Sequence, residues 1–310
     1  MQDTGLPPSS TPIAHGGLSG LWRNPRVRSV VSFLGVLAAL IVAWELYKVV
    51  WTAAGWITPV RPNNVTMPHT WDMLTRLFSP VRRGGELLIL LLLEASLFTL
   101  REAFVGFVVG GVFGFGLGVL FVRSQMAERA FMPYVVASQT VPILAIAPMV
   151  IVWGGKLDIP QWLSVSIIST YLTFFPVTIN TLRGLRSPDP TTLELMRSYA
   201  ATPNEVLWKV RVPAALPYIF TALKVSATAS VIGAIIGELP AGFGDGLGRA
   251  LLTFSQQFAV RSAQLYAAVI VTAFAGILFV GAVTYVEHRV VGSAHRRLAA
   301  VEAVGEVVTP

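Results

Sequence analysis

Cysteine is absent from this chain of 310 residues, which rules out disulfides and thiolate-bound metals. Charge is scarce as well: Asp, Glu, Lys and Arg together make up 13% of the residues, against about 25% in an ordinary soluble domain. No Gly-x-x-x-x-Gly-Lys-Ser/Thr loop occurs anywhere; Gly155-Lys156 is followed by Leu157 and lacks the upstream glycine. The chain therefore has no phosphate cradle of that kind and no means of its own for hydrolysing ATP. His-Glu-x-x-His is missing too, and His15, His69, His288 and His295 are scattered, so a zinc-dependent protease is excluded and no metal site is expected.

What is present is apolar length. Hydrophobic residues account for 54% of the chain. The runs Val30–Val50, Phe104–Val122 and Ala263–Val286 each reach the roughly 20 residues a helix needs to cross about 30 Å of hydrocarbon. Membrane barrels are built from short segments that alternate apolar and polar residues, and these runs do not alternate. The expected class is an all-α membrane protein embedded in a lipid bilayer. Spans are expected at roughly 29–51, 98–122, 131–153, 161–182, 217–237 and 263–287, about six in all. The apolar piece Leu87–Leu93 reads either as an interfacial helix or as an extension of the second span, with Glu94, Arg101 and Glu102 interrupting any longer run. Residues 1–28 are polar and rich in Pro, Ser and Gly, the composition of a disordered tail. The membrane-embedded body would occupy 29–292, and 293–310 a second tail.

The net charge of +7 is better explained by basic loops on the cytoplasmic side of a membrane than by nucleic acid, which is not expected as a partner. Six crossings put both termini on one side. With that side cytoplasmic, Arg123, Arg129, Arg183, Arg186, Arg197, Lys209, Arg211 and Arg289 all fall there, while Arg61, Arg76, Arg82 and Arg83 oppose the assignment.

Between Gly237 and Gly248 the chain reads Gly-Glu-Leu-Pro-Ala-Gly-Phe-Gly-Asp-Gly-Leu-Gly, a density of glycine that cannot hold a regular helix in lipid. Glu238 is the pathway candidate among the ionisable residues, since a carboxylate in hydrocarbon turns toward a cavity. The other reading of the same residue is an interfacial carboxylate bonded to glycine N–H groups, and the residues leave both open. Gln139, Asn180 and Lys224 lie near span ends; each can satisfy backbone groups or reach the interface, and Gln139 and Asn180 are retained as pathway candidates. Gly110, Gly111, Gly114, Gly116 and Gly118 suit close helix packing. Trp51, Trp56, Trp153 and Trp162 suit interface anchoring.

The longest polar stretch after the first span is 183–217. Asp189-Pro190 supplies an N-cap and a first-turn proline, so a helix should run from there to about Tyr199. Thr202-Pro203-Asn204-Glu205 has the form of a capping box and should start a second helix at once. Two short helices and a tight turn are therefore expected to protrude, with Pro213 and Pro217 setting a sharp re-entry into the membrane. Glu194, Arg197 and Ser198 stand at i, i+3 and i+4 and share one face.

The spacing of this stretch resembles the EAA loop of bacterial ABC-importer permeases: Glu-Ala-Ala, three residues, Gly, about nine residues, then hydrophobic-x-Leu-Pro. Here the matching positions are Glu194-Leu195-Met196, Ala200 and Val210-Arg211-Val212-Pro213. The small pair and the glycine of the pattern are thus replaced, and Ala200 can make the turn only with a negative φ or at a penalty of about 1 kcal/mol. Gln139-Thr140-Val141-Pro142, Ala147-Pro148, Trp153-Gly154, Gly233 to Glu238 and Gly246-Leu247-Gly248 are similar to the nitrate, sulfonate and taurine branch, which also includes importers of pyrimidine precursors and riboflavin-like compounds. The likeness covers about 95–290.

The resemblance implies the type I importer permease fold in a bacterial cytoplasmic membrane. It implies a second permease copy, two separate ATPase subunits that hold ATP and Mg, and an extracytoplasmic substrate-binding protein, with no cofactor on this chain. It also implies that Glu194, Arg197, Ser198, Ala200, Ala201 and Pro213 form the ATPase-coupling element. Two competing readings are an ion-coupled carrier and a non-transporting scaffold. Carriers of that kind pair their broken helices, and only one glycine-broken segment is evident here.

Overall fold

The computed structural model describes residues 25–56, 63–82, 84–240 and 245–307, with the backbone alone at 25–27, 29 and 291–307. Residues 1–24 of the tail expected over 1–28, and residues 241–244 of the glycine-rich break, lie outside the described residues, while a helix already begins at Pro25. The chain divides into two units, Met1–Thr70 and Trp71–Pro310.

The first unit is built on α1, Pro25–Ala54, whose stretch Val30–Ala54 is long and apolar enough to span a membrane. The polar groups of its second half are bonded within the unit. Glu45 accepts from the N–H and hydroxyl of Thr70 at 2.8 and 2.9 Å and lies 2.7 Å from His69 Nδ1. Lys48 Nζ donates to Asn64 at 2.8 Å, and Trp44 Nε1 to the Pro68 carbonyl at 3.2 Å. Buried polar groups need partners, and here residues 64–70 provide them.

Among the described residues nine helices follow α1: α2 Thr70–Leu77, α3 Leu88–Arg123, α4 Gln125–Ala137, α5 Ile143–Lys156, α6 Gln161–Leu185, α7 Pro190–Ser198, α8 Pro203–Glu238, α9 Leu247–Gln256 and α10 Phe258–Val307. Across the described residues five helices, α1, α3, α6, α8 and α10, can each cross a membrane, and a sixth crossing results if α4 and α5 count as one.

Three expectations change. First, Leu87–Leu93 is not a separate interfacial element: α3 starts at Leu88 and runs unbroken through Glu94, Arg101 and Glu102 to Arg123, a helix of 36 residues. Second, the expected span at 131–153 is broken, α4 and α5 meeting at 100°. Pro142 causes the break. It holds Val141 in extended backbone (φ −77°, ψ 123°) after the short 3₁₀ turn Ser138–Thr140, because the residue before proline is pushed out of the helical region. Third, Pro213 and Pro217 do not set a sharp re-entry. A single helix passes through both, with a π-helical stretch at Val206–Arg211 just before Pro213. The Val212 N–H reaches back five residues to Leu207, and the wider turn relieves the clash a proline ring makes with the carbonyl four residues earlier. The second protruding helix is therefore the first turn of a long one.

At the centre α6 is clasped between α3 and α8 at backbone distance. Gly106, Gly110, Gly114 and Gly118 form one face of α3, four residues apart. A Cβ on Gly110 would stand 2.7 Å from the Thr170 carbonyl, and one on Gly114 2.5 Å from that of Phe174. On the other side Gly233 and Gly237 of α8 press on Ser169 and Val165. Lipid tails are as apolar as leucine, so helices in a bilayer are held by such close contact and by interhelical hydrogen bonds. Both occur here: Ser169 donates to the Ser230 carbonyl at 3.0 Å and Ser226 to that of Thr173 at 3.3 Å. Of the glycines expected to pack, Gly111 only brushes Leu223, and Gly116 has no atom within 4 Å of a Cβ. The Lys224 side chain pairs with Glu287 of α10 at 2.9 Å.

Gly114→Val is expected to force α3 from α6 and cost about 1–3 kcal/mol, the usual penalty of overpacking. Gly116→Val, into open space, should change little. Thermal unfolding in one detergent compares the two; equal effects would contradict the packing described.

Candidate functional site

Two groups of residues at opposite ends of the bundle carry the chemistry. The first is the elbow formed by α7 and the start of α8. No residue of α7 is buried, and Glu194, Arg197 and Ser198 all face solvent. Pro190 occupies the first turn as expected, but the Asp189 side chain makes no capping bond. Glu194 and Arg197 form no salt bridge with each other.

The turn itself is closed from both sides. Ala200 adopts φ +52°, the left-handed conformation that glycine would take without strain. The Ala201 N–H bonds the Met196 carbonyl at 3.0 Å and the Ala200 N–H that of Arg197 at 2.9 Å, the paired bonds of a Schellman end. One residue later the capping box is complete: Glu205 N–H donates to Thr202 Oγ1 at 3.3 Å, and Thr202 N–H to Glu205 Oε2 at 3.0 Å. Lys209 adds an i, i+4 pair to Glu205 at 2.9 Å. Two helix ends thus meet with almost no free backbone between them.

The elbow is fastened to the bundle by basic residues at helix C-termini, where exposed carbonyls favour positive charge. Arg123, last in α3, donates to Asn204 at 2.5 Å. Arg211 donates to the Leu185 carbonyl at the end of α6 at 2.9 Å. Beside the elbow, Arg186 at the end of α6 forms a two-pronged pair with Glu128 and so ties α6 to α4. Beneath these bonds Leu207, Leu185 and Ala215 form a buried cluster. Pro213 is exposed on α8, directly after the π-helical stretch. Sequence reasoning did not single out Leu195 and Tyr199, which are 54% and 75% exposed on the elbow. Their signal was an apolar and an aromatic residue inside an otherwise polar loop.

The second group surrounds Glu238, which is buried at the end of α8. Its Oε1 accepts the Thr99 hydroxyl at 2.6 Å, and its Oε2 the Gly248 N–H at 2.5 Å; the Leu247 N–H in turn donates to Thr99 at 2.8 Å. A carboxylate therefore stands at the N-terminus of α9, where free N–H groups favour negative charge. A side chain on Gly246 would run into the Glu238 carboxyl. Glu102 of α3 faces the same carboxyl and was read from sequence only as an interruption.

The other two pathway candidates are elsewhere. Gln139 is exposed in the turn between α4 and α5, beside Ser138, whose carbonyl accepts the Tyr171 hydroxyl. Asn180 donates to the Pro176 carbonyl one turn back in α6, at 2.8 Å. Along α6 these neighbours, Val165 beside Gly237, Tyr171 and Asn180, are spaced by about 9 and 14 Å. The structure does not bring Glu238, Gln139 and Asn180 together. Among the described residues no group of acidic or histidine side chains could hold a metal ion.

The described residues thus hold five helices, or six, long and apolar enough to cross a membrane, with a polar elbow between α6 and α8. The chain belongs to the family described as the binding-protein-dependent transport system inner membrane component, whose model matches residues 107–292. It is similar to the formylaminopyrimidine transport permease of Halalkalibacterium halodurans, 33% identical over 190 residues that cover 61% of this chain and 73% of the relative. It is also similar to the riboflavin transport permease of Chloroflexus aurantiacus, 29% identical over 71% of this chain and 77% of that one. The taurine transport permease of Escherichia coli is 28% identical over 66% and 69% respectively. Among solved structures, an amino acid ABC transporter crystallised with histidines matches with a TM-score of 0.52 at 19% identity, over 64% of this chain and 94% of that chain, a likeness of fold. The protein is a multi-pass membrane permease subunit of an ABC importer.

Ala200→Gly should remove the left-handed strain and, net of glycine's extra entropy in the unfolded chain, stabilise the elbow by about 0.5 kcal/mol. Ala200→Val should loosen it. Hydrogen exchange at the Ala201 amide reads the difference; faster exchange in the glycine variant would contradict the strained turn.

Proposed function

We propose that the elbow is the element through which a separate ATPase drives this permease. Glu194, Arg197 and Ser198 supply the polar contact, Ala200 and Ala201 the rigid turn, and Pro213 the start of the regular helix behind it. The observation that carries this reading is that α7 buries nothing in its own chain yet ends in a fully bonded turn fixed to α3, α6 and α8. A solvated loop gains nothing from such stiffness. A lever requires it.

In this reading two ATPase subunits hold ATP and Mg, and this chain binds no cofactor. A second permease copy completes the passage, and an extracytoplasmic binding protein delivers the solute. The elbow and both termini face the cytoplasm, in accord with the arginines of 183–217. The solute is a small organic molecule, sulfonate-like or nitrate-like on one side of the family and pyrimidine-like or riboflavin-like on the other. The relatives named above support the sulfonate, pyrimidine and riboflavin parts of that range. Closure of the ATPases on ATP pushes the elbow, and because α8 continues from it without a joint, the displacement passes to the far end of the bundle.

Deleting Pro190–Thr202, or replacing Glu194 with Lys, is expected to reduce ATP-driven uptake in reconstituted vesicles to background while the helical content is kept. Undiminished uptake in the deletion, or uptake supported by an ion gradient alone, would contradict the proposal.

A further inference from the structure

Glu102 is fully enclosed, and no hydrogen-bond donor reaches either of its carboxyl oxygens. Thr99, three residues back on the same buried face of α3, donates to Glu238 at 2.6 Å, and this brings the Glu238 carboxyl beside Glu102. Glu238 already accepts the Thr99 hydroxyl and the Gly248 N–H, so its charge is compensated by two donors and the N-terminus of α9. Glu102 has no such help. Arg101, next to it in the chain, acts on it electrostatically but lays its guanidinium over the Trp162 ring at 4.3 Å and forms no salt bridge. Two buried anions in contact without a bonded cation are not a stable arrangement, because each loses its hydration and repels the other. Adjacent carboxyls resolve this by holding a proton between them. A proton on Glu102 also supplies the missing donor.

We propose that Glu102 and Glu238 share one proton, held on Glu102 and donated toward Glu238, and so form an acid–carboxylate clasp that fastens α3 to the junction of α8 and α9. The clasp ties together three elements at the end of the bundle opposite the elbow. Counted along α3, Glu102 lies about 31 Å from Arg123 at the elbow, one hydrocarbon thickness away. Along α8, Glu238 lies about 52 Å from Pro203. A tilt of α8 driven at the elbow must carry Glu238 relative to Glu102, and a clasp strained by that motion keeps this end shut until the elbow moves. Its part in transport rests on the coupling proposal above; the proton itself does not.

Infrared difference spectroscopy of the full-length permease in lipid at neutral pH tests the assignment. The wild type should show the carbonyl stretch of a protonated carboxylic acid, lost in Glu102→Gln and kept in Glu238→Gln, where Glu102 remains buried without a donor. Gln at 102 can give its amide N–H to Glu238, so that variant should melt at the wild-type temperature. Gln at 238 turns an N–H₂ toward Gly248 N–H or Thr99, and should melt lower. Absence of the band from the wild type, its survival in Glu102→Gln or its loss in Glu238→Gln would overturn the proposal, as would a reversed order of melting. No ATPase enters this measurement, so its failure leaves the coupling proposal standing, and a failed elbow deletion leaves the band in place.

Discussion

Everything in the bundle depends on how closely α6 lies against its two neighbours. In water a helix face is buried because solvent rejects it; in lipid that force is gone, and contact must come from matching surfaces and shared hydrogen bonds. The α3 ladder of Gly106, Gly110, Gly114 and Gly118 removes side chains where α6 approaches, and the serines and threonines of α6 fill the seam. Thr173 and Thr178 return their hydroxyls to carbonyls four residues back, so polar groups in the seam are satisfied along the helix as well as across it. The result is a three-helix block packed at backbone distance.

Such a block gives meaning to what is attached at its two ends. At one end the Schellman turn and the capping box leave the elbow no loose joint, and Arg123 and Arg211 fix it to α3 and α6. At the other end Glu238 closes the junction of α8 and α9 against α3. The helix between them continues past two prolines, with one widened turn just before Pro213. A flexible linker at 199–202, or a true proline kink at 213, would disconnect them.

Much of this was legible in the chain itself, and the failures are instructive. The Thr202–Glu205 capping box was correctly read because its bonds are local and depend on four adjacent residues. The apolar runs located the five long helices, since length and composition suffice for that. The break at Pro142 was missed because the apolar run continues across it, though the proline stood in plain view and its effect on Val141 is steric. Continuity through Pro213 was missed for the opposite reason: a proline was expected to break a helix that a π turn allows to continue. The extension of α3 past Glu102, and Glu102 itself, lay beyond local reasoning. Whether a charged residue ends a helix or is sheltered within it depends on Glu238, 136 positions further along, and no window of sequence contains both.

We propose that the elbow faces the compartment where ATP is hydrolysed. The absence of cysteine makes it directly measurable. A single cysteine placed at the exposed Ser198 should react with a membrane-impermeant maleimide in inverted vesicles and remain unlabelled in right-side-out vesicles until they are opened. Labelling of intact right-side-out vesicles would put the elbow on the external face and contradict the account.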